Sequence, residues 1–173
     1  MDRSHEVEGL TIVAELMCAA ARTAPKGRGL DNLETKILRG DEKDRVAAEM
    51  RRIGTESGAG FFLRDAENLD AAPAAVVIGA RKTTYGLPAC GFCGFADCTA
   101  CRDGGGTCHF VACDLGIAVG SAAGVASLHH IDNRIMFTIG RASVNLKLLG
   151  GDIVVAHGIP LSVRAKNVFF DRK

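Results

Sequence analysis

Six of the seven cysteines of this chain lie in one short segment between residues 90 and 113. They are Cys90, Cys93, Cys98, Cys101, Cys108 and Cys113. The stretch 86–106 also holds six of the 21 glycines, so it has few of the bulky apolar side chains that build a core. Thiols at this density in a glycine-rich stretch predict a metal-binding loop.

The spacing of the first three cluster cysteines favours iron–sulfur over zinc. Iron–sulfur clusters take four ligands, usually thiolates, and glycine lets a short loop wrap around them because it tolerates positive φ. Cys90-x2-Cys93-x4-Cys98 fits this requirement, whereas a zinc ribbon separates its cysteine pairs by about 15–20 residues. Cys101, Cys108 and Cys113 are the candidates for the fourth ligand. Zinc and unliganded redox thiols are the alternatives.

The remaining cysteines have a simpler interpretation as small buried apolar side chains. We expect this of Cys18, on the first predicted helix, and of Cys113, which shares a helical face with Gly116 and Ile117. Cys101 is either a spare thiol or an alternative ligand.

Composition bounds the class of protein. A length of 173 residues suits one domain, so we expect residues 1–173 to form a single domain with 86–108 as an inserted cysteine-rich segment. The net charge of +1 does not indicate a basic surface for binding nucleic acid. With one Tyr and no Trp, the chain also has few aromatic side chains of the kind that stack on bases, so a nucleic-acid-binding protein is not expected. Hydrophobic residues make up 47% of the chain, so its core does not depend on metal.

The chain is expected to be cytoplasmic and not to cross a membrane. Its first residues lack the hydrophobic region of a signal peptide. The stretch 110–128 approaches the length of a membrane span, but it contains Asp114 and three glycines, which favours a buried helix. In a reducing compartment, clustered cysteines favour metal or redox chemistry over disulfides.

Hydrophobic periodicity predicts an α+β fold. Apolar residues at helical spacing predict five helices, at about 10–21, 41–53, 61–69, 107–130 and 132–149. Asp41 and Asp132 are the predicted N-caps of two of them. Four strands are predicted at 33–38, 74–79, 152–156 and 167–170. The cysteine segment therefore falls between a buried strand and a long helix.

Three glycines mark one face of that long helix. Gly116, Gly120 and Gly124 each cost about 1 kcal/mol of helix stability relative to alanine. We therefore expect close packing there, most simply by another helix, with a second copy of the chain, the cluster or a flavin ring as alternatives.

The cysteine segment and the sequence after it resemble an uncharacterised prokaryotic family described as containing a ferredoxin domain. The resemblance rests on Cys90-Gly-Phe-Cys93-Gly-Phe-Ala-Asp-Cys98, Gly106-Thr-Cys108, Asp114-Leu-Gly-Ile-Ala-Val-Gly-Ser-Ala122, Asp132-Asn-Arg-Ile-Met136, Gly158-Ile-Pro-Leu-Ser162 and Lys166-Asn-Val-Phe-Phe-Asp-Arg172. It implies that Cys108 is the fourth ligand. Cys101 and Cys113 depart from the family pattern and leave room for ligand swapping. No reaction follows from the resemblance.

A fainter resemblance is to nitroreductase-like flavoproteins, through Ala20-Ala-Arg-Thr-Ala-Pro25 and Gly158-Ile-Pro160. It implies a layered α+β domain, a homodimer and FMN at the subunit interface. The arginine-rich start of those proteins is missing here. Lys26 and Arg28 flank a glycine and are candidates to hold an anion or the flavin phosphate, although a helix C-terminus disfavours anions and a solvated basic loop is the alternative.

Together these features predict a redox protein with one iron–sulfur cluster, of the 4Fe-4S type. It would pass electrons, by way of a flavin or directly, to a redox partner protein or a small-molecule acceptor. Arg81 and Lys82 form a basic pair that suits an acidic redox partner. The alternatives are a zinc-binding or redox-sensing module without activity, and an FMN-dependent reductase with structural cysteines. An oxidoreductase is therefore the enzyme class considered, without an assigned catalytic residue.

Overall fold

The computed structural model describes residues 4–170. Residues 1–3, where the prediction about the N-terminus begins, and residues 171–173, which include the end of the closing family motif, lie outside the described residues.

The described chain folds into six α-helices, a 3-10 turn and one antiparallel sheet. The elements are α1 (Ser4–Thr23), the 3-10 turn (Gly27–Gly29), β1 (Leu33–Leu38), α2 (Gly40–Ser57), α3 (Gly60–Ala71), β2 (Ala74–Arg81), α4 (Cys98–Asp103), α5 (His109–Leu128), β3 (Asp132–Asn133), α6 (Phe137–Asn145) and β4 (Ile153–Ser162). The strand order is β1-β2-β4-β3. The predicted α+β class is confirmed.

Strand β2 is the centre of the fold because both of its faces are covered. Val76 and Ile78 pack with α1 and α5 on one side, whereas Ala75 and Val77 pack with α2, α3 and α6 on the other. Alternate side chains of a strand point to opposite faces, so this continuous apolar run feeds two separate cores. Burying one such Val or Ile side chain contributes about 1.5–3 kcal/mol. The result is a sheet between two helical layers.

Two predictions near the C-terminal half are wrong. Asp132 does not cap a helix: with Asn133 it pairs with Ser162 and Leu161 as the short strand β3. The following helix, α6, begins only at Phe137 and ends at Asn145. Sequence periodicity cannot detect a two-residue strand whose partner lies almost thirty positions away.

The predicted strand 167–170 and the predicted cap of α2 also differ from the structure. Phe169 is buried in the core beside α6, and the Arg134 guanidinium donates to the Phe169 carbonyl oxygen at 2.7 Å, so this segment is fixed without strand pairing. Asp41 lies in the first turn of α2, and Arg39 is the N-cap residue. A carboxylate in the first turn still complements the helix dipole.

Helix α5 is long and apolar enough to cross a membrane, with a mean hydropathy of 1.7, and it is the one such helix among residues 4–170. It packs against α1 and the sheet. Only 39% of its apolar window is buried. Gly116, Gly120 and Gly124 lie on the open side, where a Cβ atom would meet nothing within 4 Å. The prediction that another helix packs closely on this face is therefore wrong for the described part of the chain.

Candidate metal centre

Five cysteines line a single small cavity between β2 and α5. They are Cys90, Cys93, Cys98, Cys101 and Cys108. The cavity measures about 10 Å³, room for about one water-sized sphere. Residues spread over nineteen positions of sequence are thus brought to one point by the turns of the cysteine segment. The four predicted ligands Cys90, Cys93, Cys98 and Cys108 are among them, and their role as ligands stays a prediction.

Glycine makes the first turn of this segment. Gly91 and Gly94 have φ values of 62° and 84°, in the left-handed region that L side chains rarely adopt. The Gly94 N–H donates to the Gly91 carbonyl oxygen at 3.0 Å and closes a tight turn around Cys93. The glycines therefore form a tight turn here, whereas the wrapping of a cluster by this loop stays a prediction.

The short helix α4 positions two further thiols. The Asp97 carboxylate caps it by accepting a hydrogen bond from the Ala100 N–H at 2.8 Å. Cys98 is the first residue of α4, and Cys101 lies one turn later with no exposed surface. Burial raises the pKa of the Cys101 thiol, and a hydrogen bond with the Cys93 side chain raises it further.

Phe95 closes the inner side of the segment over two glycines. A Cβ atom at Gly106 would lie 2.5 Å from the Phe95 Cε2 atom and 3.0 Å from the Cys101 Sγ atom. A Cβ atom at Gly104 would lie 2.6 Å from the Phe95 ring. Glycine is therefore required at both positions for Phe95 and Cys101 to pack as they do.

Cys108 stands at a different kind of position, the N-cap of the long helix α5. It is buried, with 7% of its surface exposed. Unpaired N–H groups and the helix dipole at this end favour negative charge, which suits a thiolate.

Cys113 lies outside the cavity. Its Sγ atom is 3.3 Å from the His109 Nε2 atom, and the side chain is exposed. The expectation that it is a buried apolar side chain is wrong because the α5 face it shares with Gly116 and Ile117 is uncovered. Cys18 does pack, partly buried, against the core between α1 and the sheet, and burial raises the pKa of its thiol.

Three aromatic side chains contact one another beside the cavity. Phe110 lines the cavity, and the exposed Phe92 ring stacks on it with the ring centroids 5.8 Å apart. The His109 ring meets the edge of Phe92 at 6.0 Å.

A buried polar contact ties the start of the cysteine segment to α5. The Tyr85 hydroxyl donates to the Asp114 carboxylate, and the Gly27 N–H donates to both Asp114 oxygens at 3.1 and 3.2 Å. Burial, with a smaller contribution from the Asp114 charge, raises the pKa of Tyr85 to about 12. This contact was not predicted from the sequence. The one charged residue within an apolar helix was the signal for it, since a buried charge needs partners.

Lys26 and Arg28, predicted to hold an anion, both contact protein atoms. The Lys26 ammonium donates to three carbonyl oxygens at the end of α1, at 2.6 to 3.0 Å, which uses all of its N–H groups. The Arg28 Nη1 atom donates to the Tyr85 carbonyl oxygen at 3.1 Å. Lys26 would have to leave these oxygens to bind a flavin phosphate, so this loop fits FMN poorly as it stands. The anion site here stays a prediction.

The donor set fits an iron–sulfur cluster by its chemistry, because five thiols surround one cavity. The space of about 10 Å³ between them does not hold a cluster unless the glycine-rich turn moves outward. Among the described residues, no group of three His, Cys, Asp or Glu side chains is arranged to hold a single metal ion.

Several solved structures with a similar fold are nitroreductases. An FMN-dependent nitroreductase from Clostridium difficile has a TM-score of 0.57 and 18% identity, covering 90% of this chain and 76% of its own. The FMN-dependent nitroreductase NfnB from Mycobacterium smegmatis, in complex with NADPH, has a TM-score of 0.59 and 14% identity, covering 90% and 78%. Nitroreductase CinD from Lactococcus lactis, in complex with nicotinic acid, has a TM-score of 0.58 and 12% identity, covering 99% and 86%. The predicted nitroreductase-like fold is confirmed.

Sequence comparison identifies the family. A family model described as "uncharacterized protein containing a ferredoxin domain (DUF2148)" matches residues 104–172, which include Cys108 and Cys113 but not the earlier cluster cysteines. A protein from Archaeoglobus fulgidus, described as uncharacterized, is 39% identical over 180 residues, which cover 99% of this chain and 96% of that protein. The chain therefore belongs to the family of proteins described as containing a ferredoxin domain.

Proposed function

We propose that this protein binds one 4Fe-4S cluster on Cys90, Cys93, Cys98 and Cys108 and passes single electrons to an acceptor. The observation that carries the proposal is the convergence of five cysteines on one cavity. A redox role is further supported by the ferredoxin-domain description of the family and by the nitroreductase-like fold.

The choice of Cys108 as fourth ligand is supported by its place at the start of α5. A ligated cluster carries negative charge on its thiolates, and a helix N-terminus stabilises such charge by about 0.3–1 kcal/mol at exposed sites, and more when partly buried. Cys101 is the remaining thiol of the cavity. Its side chain contacts Cys93, so it suits a neutral thiol next to a ligand rather than a ligand. Cys113 lies outside the cavity and is the weakest candidate.

The surrounding residues would hold the centre in place. Tyr85 and Asp114 fix the start of the cysteine segment against α5, and the stacked rings of Phe92 and Phe110 lie beside the thiols. Bound there, the cluster supplies one-electron transfer at a potential set by hydrogen bonds and solvent exposure. The acceptor would be a small molecule or a redox partner protein.

Two other functions remain alternatives. Thiols that hold zinc or report redox state would make the chain a sensor without turnover. An FMN-dependent reductase with structural cysteines is suggested by the FMN-dependent fold neighbours, although Lys26 is engaged at the end of α1. The fold that this chain shares with those reductases is the observation that favours this alternative.

Serine variants separate these functions. Cys93→Ser should lower the iron content of anaerobically purified protein from about four irons per chain, the content of such a cluster, to less than one. Cys113→Ser is the matched control and should keep all four. Equal iron in both variants would refute the proposal, and acceptor reduction by Cys93→Ser at the wild-type rate with bound flavin would favour the reductase alternative.

We also propose a homodimer through the exposed face of α1 and α5, in a cytoplasmic protein. Ile12 and Leu16 of α1 and Ile117 and Leu128 of α5 are exposed, and so are the three open glycines of α5. A second copy packed on these two helices would remove the apolar side chains from water, which favours association. Light scattering after size exclusion should give twice the chain mass for the wild type and the monomer mass for Ile117→Lys. A wild-type monomer at micromolar concentration would contradict this.

A further inference from the structure

A second, larger cavity lies beside the cysteine cavity. It measures about 290 Å³ and is lined by Lys82, Thr83, Thr84, Arg102 and Gly106. Thr84 lines both cavities. The second cavity forms where the chain leaves β2 and where α4 ends, so the fold of the cysteine segment creates it.

The lining carries two positive charges that the described chain does not neutralise. Within residues 4–170, neither the Lys82 ammonium nor the Arg102 guanidinium has a hydrogen bond or an ion pair. The neighbouring Arg81 differs, because Glu34 and Asp152 pair with it. Of the basic pair noted in the sequence, Lys82 alone is therefore open to a ligand.

Backbone hydrogen bonds anchor the two segments that carry these side chains. The Lys82 N–H donates to the Asp152 carbonyl oxygen at 2.8 Å, next to the strand pair β2–β4. The Arg102 carbonyl oxygen accepts from the Gly105 N–H at 3.2 Å at the end of α4. Two threonines between them add hydroxyl donors. This set of donors matches an anion such as a carboxylate or a phosphate.

The size of the cavity limits the ligand. Ligand pockets start at about 300 Å³, so this one suits a small metabolite rather than a dinucleotide. Gly106 separates this cavity from the thiols. The separation is thin, because a Cβ atom added at Gly106 would lie 3.0 Å from the Cys101 Sγ atom. A ligand in this cavity would thus sit beside the cysteine cavity.

We propose that this cavity binds the anionic group, carboxylate or phosphate, of a small-molecule electron acceptor. The identification of the ligand as an electron acceptor rests on the proposed function, whereas the binding of an anion does not. Lys82 and Arg102 bind the charge, and the threonine hydroxyls orient it.

Calorimetry on the purified, anaerobic full-length protein tests this with two probes, inorganic phosphate and succinate, titrated separately. Saturable binding of at least one is expected, about tenfold weaker in Lys82→Gln and in Arg102→Gln, as for loss of one charge-assisted hydrogen bond. Arg45→Gln removes an exposed guanidinium of α2 that has no partner within residues 4–170 and should bind like the wild type.

The preferred probe identifies the source of the anion: tighter phosphate binding indicates a phosphate monoester, and tighter succinate binding indicates a carboxylic acid. No saturable binding of either probe, or equal affinities in the cavity variants and Arg45→Gln, overturns the proposal. Iron content is measured on the same samples. If the wild type binds the anion but contains no iron, the anion site is supported and only the proposed cluster is refuted. Failure of the anion site can therefore be distinguished from failure of the proposed function.

Discussion

The Tyr85 hydroxyl donates a hydrogen bond to the buried Asp114 carboxylate across 29 positions of sequence. Tyr85 directly precedes the cysteine segment, and Asp114 lies on α5, about six positions after Cys108. This contact therefore holds the two ends of the candidate metal centre together. The Gly27 N–H completes it from the turn after α1.

Removing the Tyr85 hydroxyl should destabilise the fold. In Tyr85→Phe the Asp114 carboxylate keeps only the Gly27 N–H, and loss of a hydrogen bond to a buried charged group costs about 1.5–3 kcal/mol. Urea unfolding measures the difference. Thr55→Val, which removes an exposed hydroxyl on α2, is the control and should change the free energy of unfolding by less than about 0.5 kcal/mol. Equal stability of Tyr85→Phe and the wild type contradicts the assigned role.

The same contact predicts a loss of stability at alkaline pH. The pKa of Tyr85 is raised to about 12 in the folded chain, whereas tyrosine in an unfolded chain ionises near ~10. The raised pKa stabilises the fold fully below pH ~10, and this contribution is lost as the pH rises toward ~12. The difference in unfolding free energy between the wild type and Tyr85→Phe should therefore shrink across that window. A constant difference would argue against it.

Cys101 and Cys108 should respond differently to substitution. Cys108→Ser removes a proposed ligand and is expected to lower the iron content below about four per chain, whereas Cys101→Ala should retain it. Iron and sulfide analysis of anaerobic samples gives the comparison. Retained iron in Cys108→Ser with loss in Cys101→Ala would make Cys101 the ligand instead.

Gly106→Ala should destabilise the cysteine segment. The new Cβ atom would lie 2.5 Å from Phe95 and 3.0 Å from the Cys101 Sγ atom, and overpacking of this kind costs about 1–3 kcal/mol. Gly60→Ala is the matched control because nothing lies within 4 Å of its Cβ position. Thermal unfolding should give a lower Tm for Gly106→Ala alone. The same Tm for both variants would show that the segment yields freely.

The local patterns of the sequence predicted most of the architecture. Strand β2 is a continuous apolar run, and helix α2 has apolar residues at helical spacing. Both patterns involve residues close together in sequence, so a strand and a helix could be predicted there without knowledge of tertiary contacts. The grouping of Cys90, Cys93 and Cys98 followed from spacing for the same reason.

Features set by distant partners could not be predicted in this way. Strand β3 exists because Asp132 meets Ser162, and Lys26 leaves solvent because the end of α1 presents carbonyl oxygens to it. The exposure of Cys113 depends on which side of α5 the sheet covers. In each case the structure depends on a contact that the hydrophobic periodicity of a short stretch of sequence does not contain.

The central claim is tested most directly by metal analysis of the wild-type chain purified without oxygen, with its visible spectrum recorded on the same sample. We expect about four irons and four sulfides per chain, with a broad visible absorption that bleaches on reduction. Stoichiometric zinc without iron, or a flavin spectrum without iron, would contradict it.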